Sequence, residues 1–255
     1  MAETVDELTI AYTEGDIETV KELDKKILTK GAWSTIIYKY QNWETTDPER
    51  WVPNGYVIVR IDSRGAGWSP GFMEVFAPRE YEDIYQCIEW AGTQEWSNGN
   101  VGMLGVSYYA INQWKVASMN PPHLAAIIPW EGNNDHYRDG AYHGGILNQF
   151  TELWSKVQIA NIQYGKGKDA LKNPNTGESV AGPVTFDPDT LANNRLNYFE
   201  QTKNHPLDDE WHKKRTADLV KITIPLLSCA NWGGQGIHPR GNINGFLEAS
   251  SSQKW

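Results

Sequence analysis

A short apolar run ending in glycine, a serine two residues on, and a helix-compatible segment directly behind it constrain this chain more than any other feature. The run is Val101-Gly102-Met103-Leu104-Gly105-Val106, the serine is Ser107, and Ala110, Ile111, Trp114, Val116 and Ala117 follow. That order reads as strand, sharp turn, helix, with the small Gly105 where a tight turn needs it. A serine at the apex exposes its hydroxyl above the sheet edge, and the next backbone N–H points at whatever the hydroxyl attacks. The chemistry implied is acyl transfer through a covalent ester on Ser107. Gly105-Val106-Ser107-Tyr108-Tyr109 fills only the first half of the G-x-S-x-G pattern. The spacing alone also describes a buried strand ending in an ordinary turn, and it is the strand before and the helix after that favour a nucleophile elbow.

The rest of the chain supplies the sheet such an elbow needs. Tyr56-Val57-Ile58-Val59-Arg60-Ile61 is a nearly continuous β-branched run, expected as a parallel strand buried on both faces. A helix opened by Pro78 carries Tyr81, Ile84, Tyr85 and Ile88 at helical spacing. Leu124–Trp130 and Ile222–Cys229 read as further strands, and a helix is expected over Asn242–Ser250. Alternation of this kind implies crossovers in a mostly parallel, doubly wound α/β sheet. Residues 1–50 read as an atypical, acidic, largely helical region, with Ile17, Val20, Leu23 and Ile27 on one helix face and Gly31 as its stop. Residues 51–135 form the core with the elbow, 136–219 a polar helical insertion over the sheet's C-terminal edge, and 220–255 the return to the core. The chain ends where the next strand would start.

Composition excludes several classes. A net charge of −9 argues against nucleic acid, which would want a basic face. No apolar run approaches the ~18 residues of a membrane span, and the acidic start Met1-Ala2-Glu3-Thr4 is unlike a signal peptide. Cys87 and Cys229, each in an apolar segment, argue against a disulfide framework, so the expected setting is reducing and cytoplasmic. No metal-ligand spacing or dinucleotide fingerprint occurs, and no cofactor or metal is expected. Twelve Trp and twelve Tyr against six Phe favour rings with a polar edge, suited to pocket walls as well as to an aromatic core.

Four blocks carry a resemblance: Ile61-Asp62-Ser63-Arg64-Gly65-Ala66-Gly67-Trp68-Ser69-Pro70-Gly71; Ile88-Glu89-Trp90 with Trp96–Gly102; Gly105-Val106-Ser107-Tyr108; and Asp135-His136-Tyr137-Arg138-Asp139. They resemble the Xaa-Pro dipeptidyl-peptidase and cocaine-esterase (CocE/NonD) group of α/β-hydrolases, closely over 50–145 and more loosely over 219–255. The resemblance implies an α/β-hydrolase fold with a helical cap insertion, here lacking its first strands and its last. It also implies hydrolysis of small ester or peptide-like substrates. Tyrosine after the serine is typical of this group, which removes the objection from the incomplete motif.

Carried over residue by residue, Ser107 is the nucleophile and the Tyr108 N–H one oxyanion donor. The group's second donor, a tyrosine hydroxyl, has only Tyr38 and Tyr40 as positional candidates, and both read first as packing residues. The group's acid follows the strand after the insertion, where this chain has Asn231-Trp232-Gly233-Gly234-Gln235-Gly236 and no carboxylate. A hydrolase sheet offers another position, the end of the strand after the nucleophile strand, and Glu131 stands there. Glu131 is therefore expected either to orient the catalytic histidine or to bond Arg138 and loop N–H groups. The histidine is expected beyond Trp255. His238 lies on the correct sheet edge but one strand early; it reads first as structural or substrate-facing, with Trp232 and Tyr109, and as the base only in second place. Asp62, Arg64, Asp135, Arg138 and Asp139 are expected to knit the edge loops by ion pairs. Against an active hydrolase stand a truncated or degenerate homologue acting as a binding module, and an enzyme whose missing strands lie on a separate chain. Homo-oligomerisation is left open.

Overall fold

The computed structural model describes residues 44–173, 176–233 and 236–255. The expected helix at 16–28, the Gly31 stop, Tyr38 and Tyr40 lie outside them. The chain divides into two compact units, 1–58 and 59–255. In the described part of the first, Asp47 caps the single-turn helix Pro48–Trp51 by accepting from the Glu49 N–H at 3.0 Å. The Trp51 ring meets Tyr56 edge-on, centroids 4.8 Å apart.

The second unit is built on a parallel ladder. Strand β1 (Val101–Val106) pairs with β2 (Leu124–Trp130), Met103 opposite Ile127 and Val106 opposite Trp130. Residues 225–229 lie along the far side of β2: Leu227 N–H donates to Ile127 O at 3.1 Å, and Cys229 N–H to Pro129 O at 3.1 Å. The last residues extend the ladder, Ser228 N–H donating to Trp255 O at 2.8 Å and Trp255 N–H to Leu226 O at 3.1 Å.

Helices flank this sheet. Pro78 opens α1 (Pro78–Gly92), whose Tyr81 and Ile88 are buried while Ile84 and Tyr85 pack against the core from its margin. Helix α2 (Tyr108–Ala117) follows the elbow directly, and α3 (Pro239–Glu248) follows residues 225–229. Trp114, Val116, Ile127, Ile222 and Leu226 form the centre of the core, each at most 1 % exposed. Transfer of such side chains from water stabilises the fold by about 1.5–3 kcal/mol apiece.

One expected strand is absent. Residues 56–61 adopt no strand, and Val57 and Ile61 are 60 % and 53 % exposed. A β-branched run becomes a buried strand only when a neighbour supplies its hydrogen bonds and covers its faces, and no described residue does so here.

The segment after β2 is irregular and helical. It holds a π-helical turn at His136–Ala141, a short hairpin pairing Tyr142–His143 with Ile146–Leu147, helical turns over 150–162, and helices Pro188–Asn193, Tyr198–Asn204 and Glu210–Lys213. Backbone bonds tie it to the glycine-rich loop after residue 61: Gly67 N–H to Ile162 O at 2.8 Å and Met73 N–H to Asn194 O at 2.9 Å. Among the described residues no helix is long and apolar enough to cross a membrane. Cys87 and Cys229 are free thiols.

Candidate active site

Ser107 sits at the junction of β1 and α2 with φ 58° and ψ −111°. Such a backbone costs a non-glycine residue of order 1–3 kcal/mol and persists only where its surroundings enforce it. Here they do: Ser107 N–H donates to Trp130 O at 3.0 Å, and Ser107 O accepts from Ala110 and Ile111 N–H, both at 2.9 Å. The turn is thereby held between the mouth of β2 and the first turn of α2. Glu131, the residue after β2, also has positive φ (55°), and its N–H donates to Cys229 O at 2.8 Å.

These two strained residues face a common partner. His238 Nε2 lies 3.1 Å from Ser107 Oγ, and His238 Nδ1 lies 3.4 Å from Glu131 Oε2. The His238 and Glu131 side chains are each only 15 % exposed. Burial pushes the His238 pKa below its ordinary value, while the Glu131 charge and hydrogen bond work in the opposite direction. The expectation that put His238 first as structural or substrate-facing, and as base only in second place behind a histidine beyond Trp255, rested on chain order. The geometry differs, because α3 folds back over the strand ends and carries its N-cap residue to the serine.

Asn242, one helical turn after His238, holds that arrangement. It is 1 % exposed, and its Oδ1 accepts from Gly132 N–H at 2.6 Å. Its Nδ2 donates to Pro129 O and to Ser228 Oγ, both at 2.9 Å. The amide thus grips the backbone on both sides of Glu131 from the helix that carries His238. Sequence reading missed it. The signal was an asparagine in the interior of an otherwise apolar helical face, where it needs buried partners.

Tyr108 is fixed from below. Its ring lies 4.7 Å from Phe76 and 5.9 Å from Trp154, and its hydroxyl donates to buried Glu80, which also accepts the Phe76 N–H at 2.8 Å. Burial raises the pKa of Glu80, opposed by the Tyr108 hydrogen bond, and burial likewise raises that of the phenol. The side chain is anchored in the core, and the Tyr108 N–H has no acceptor among the described residues. Tyr109 follows at the surface, 41 % exposed, and Trp232 is 77 % exposed beside the Asn231-Gly233 turn.

The charged residues pair as follows. Arg138 Nη1 bonds Asp135 at 3.1 Å and Asp208 at 2.8 Å, and therefore does not engage Glu131. Arg240 Nη1 bonds Asp139 at 2.5 Å. Arg64 pairs with Asp83 on α1 at 2.8 Å, and Asp62 accepts the Trp68 N–H at 2.8 Å. Among the described residues no three His, Cys, Asp or Glu side chains converge as a metal site.

Comparisons with known proteins agree with this architecture. A sequence model of the X-Pro dipeptidyl-peptidase (S15) family matches residues 26–254. The cocaine esterase of Rhodococcus sp. (strain MB1 Bresler) is 35 % identical over 220 residues, 79 % of this chain and 36 % of that protein. A crystal structure of a CocE/NonD family hydrolase from Staphylococcus aureus superposes with a TM-score of 0.71 at 40 % identity, covering 88 % of this chain and 36 % of that one. The chain therefore spans little more than a third of the length of these relatives. A match across nearly the whole chain, with the elbow and the parallel ladder in place, places it in the X-Pro dipeptidyl-peptidase (S15) family.

Proposed function

We propose that this chain carries the catalytic centre of a serine hydrolase with an α/β-hydrolase core and a helical cap over residues 136–219. It would cleave ester or amide bonds through an acyl-enzyme on Ser107, with His238 as base and Glu131 as the acid of the triad. The observation carrying this reading is the line Ser107 Oγ, His238 Nε2, His238 Nδ1, Glu131 Oε2, with separations of 3.1 Å and 3.4 Å.

The steps follow from that line. Neutral His238 accepts the Ser107 proton at Nε2 as Oγ attacks the scissile carbonyl, and its Nδ1–H faces Glu131. The resulting imidazolium is stabilised by the Glu131 carboxylate, and the tetrahedral oxyanion by the Tyr108 N–H. Collapse expels the alcohol or amine, which takes the proton from Nε2. Water then enters by the same base, and the acid product leaves with Ser107 restored. The 3.4 Å separation is long for a hydrogen bond, as is common before substrate binds. It is expected to shorten as the ring gains charge. Resemblance to an esterase and to the X-Pro dipeptidyl-peptidase family supports both ester and amide substrates.

A fluorophosphonate probe tests this directly. Prompt labelling of Ser107, abolished in Ser107→Ala and slowed at least about 100-fold in His238→Gln, is the expected result. Labelling of Ser107 at an unchanged rate in His238→Gln would overturn the assignment of the base.

A further inference from the structure

His238 forms part of the wall of a cavity of about 470 Å³, lined also by Tyr137, Arg138, Asp139, Tyr142 and Arg240. That volume lies in the range of small-molecule sites. In the proposed mechanism His238 returns its proton to the departing atom, so the side it walls is the leaving-group side.

Within the lining two guanidiniums stand against one carboxylate, while Asp135 and Asp208 pair with Arg138 from outside it and Asp135 also lies 3.7 Å from Arg240 Nη1. Arg138 and Arg240 are 52 % and 50 % exposed at their side chains, whereas Asp139, the acid in the lining, is 1 % exposed. Asp139 is also fully engaged: Oδ2 accepts Asn134 and Asp135 N–H, at 3.2 and 3.0 Å, and Oδ1 accepts Arg240. Both guanidiniums make their bonds through Nη1, and their Nε and Nη2 donors have no partner among the described residues. Arg240 lies in the first turn of α3, which has no acidic residue, so the helix N-terminus adds positive potential on the same side. A ligand in the cavity thus meets unspent guanidinium donors in the fork geometry that suits a carboxylate.

We infer that the leaving group of the substrate carries a carboxylate, held by Arg138 and Arg240 beside His238. This rests on the triad reading for its placement on the leaving side, but the recognition itself is independent of turnover. Peptide fragments with a free C-terminus and esters of hydroxy acids share this chemistry.

Two acetate esters distinguish the possibilities: 4-acetoxybenzoate and its methyl ester, which differ in the leaving group's charge. The ratio of their kcat/KM values is expected to fall at least about tenfold in Arg240→Gln and in Arg138→Gln, and to fall in the unaltered chain as salt is added. The Arg138 variant covers the case in which loss of the Asp139 tie unfolds the Arg240 variant. A ratio unchanged in both variants, with both esters turned over, overturns this inference and leaves the triad standing. Calorimetric binding to Ser107→Ala supplies the second readout. Binding of 4-acetoxybenzoate tighter than that of its methyl ester, with the difference lost in Arg138→Gln, supports the inference even if no ester is hydrolysed, an outcome that would overturn the triad instead. Equal binding of the two overturns it.

Discussion

Glu131 and Asn242 illustrate how a side chain acquires a role from what surrounds it. Glu131 leaves the end of β2 with positive φ, and Asn242 grips Pro129 O and Gly132 N–H on either side of it. Replacing Glu131 with Gln removes the charge that raises the His238 pKa and leaves burial, which lowers it. The acid limb of the kcat/KM profile, which reports the free enzyme's histidine, is therefore expected to move to lower pH. The rate at neutral pH should fall about 10²- to 10⁴-fold, the scale seen when a triad acid is neutralised. A limb that stays in place would mean that the acid lies elsewhere. Asn242→Ala strips Gly132 N–H of its acceptor in a buried site, at a cost of about 1–3 kcal/mol in a denaturant melt. Pro129 O keeps the Cys229 N–H and is not orphaned. Because Asn242 touches no reacting atom, its loss should lower kcat with little change in KM. The positions of Ser107 and Glu131 at strand ends were legible in the sequence because each follows a readable local apolar run. The place of His238 beside Ser107 was not, since it depends on a contact across 131 residues that chain order alone argued against.

That contact is made by the docking of α3. Gly241 and Gly245 stand one turn apart, and a Cβ on Gly241 would lie 2.4 Å from Asn133 Cα while one on Gly245 would lie 2.4 Å from the Trp114 ring. Trp114 is fully buried with its Nε1–H on Gly132 O at 3.2 Å, so it cannot swing aside. Alanine at either position gains about 1 kcal/mol of helix propensity but meets overpacking of about 1–3 kcal/mol. Net destabilisation is expected in both, measured by denaturant midpoint. Gly241→Ala, which presses on backbone, should also displace the start of α3 and slow fluorophosphonate labelling of Ser107. Labelling at the native rate with a native melt would show that close docking does not set the His238 position. The helices α1, α2 and α3 were readable from periodicity and from Pro78, with α2 starting two residues before Ala110 and α3 three before Asn242. The run at 56–61 was misread because strand formation is decided by neighbours, and a β-branched composition reports only the propensity. The short turns of residues 136–213 left no clear period to read.

At the scale of the molecule, the irregular segment after β2 is fastened by a directed chain of neutral histidines. His212 Nε2 faces His205 O at 2.7 Å and must carry hydrogen, which leaves its Nδ1 as an acceptor. His136 Nδ1, 2.8 Å away, then donates, and its Nε2 accepts from the Tyr198 hydroxyl at 2.7 Å. Protonating either ring places two donors face to face or forces Tyr198 to turn. Burial lowers the His136 pKa strongly, helped by His212 whenever that ring is protonated and by the Arg215 charge, and burial lowers that of His212 despite the His205 carbonyl and Asp209. A histidine with a lowered folded-state pKa leaves stability untouched above its unfolded value near 6.5 and subtracts from it as pH falls below. Asp209, lowered by its bond from His205, loses its contribution only further down, below about pH 4. Buried Glu80 and Asp139, raised by desolvation, work in the opposite direction as pH falls. The informative quantity is therefore the difference between the intact chain and His136→Gln. Between pH 6.5 and 4.5 the intact chain should lose up to about 1.4 kcal/mol more per pH unit than the variant, read from denaturant melts at each pH. Parallel stability curves would mean that His136 titrates alike in the folded and unfolded chain. The hydrogen-bond chain would then not be what fastens residues 198–217 to the exit of β2.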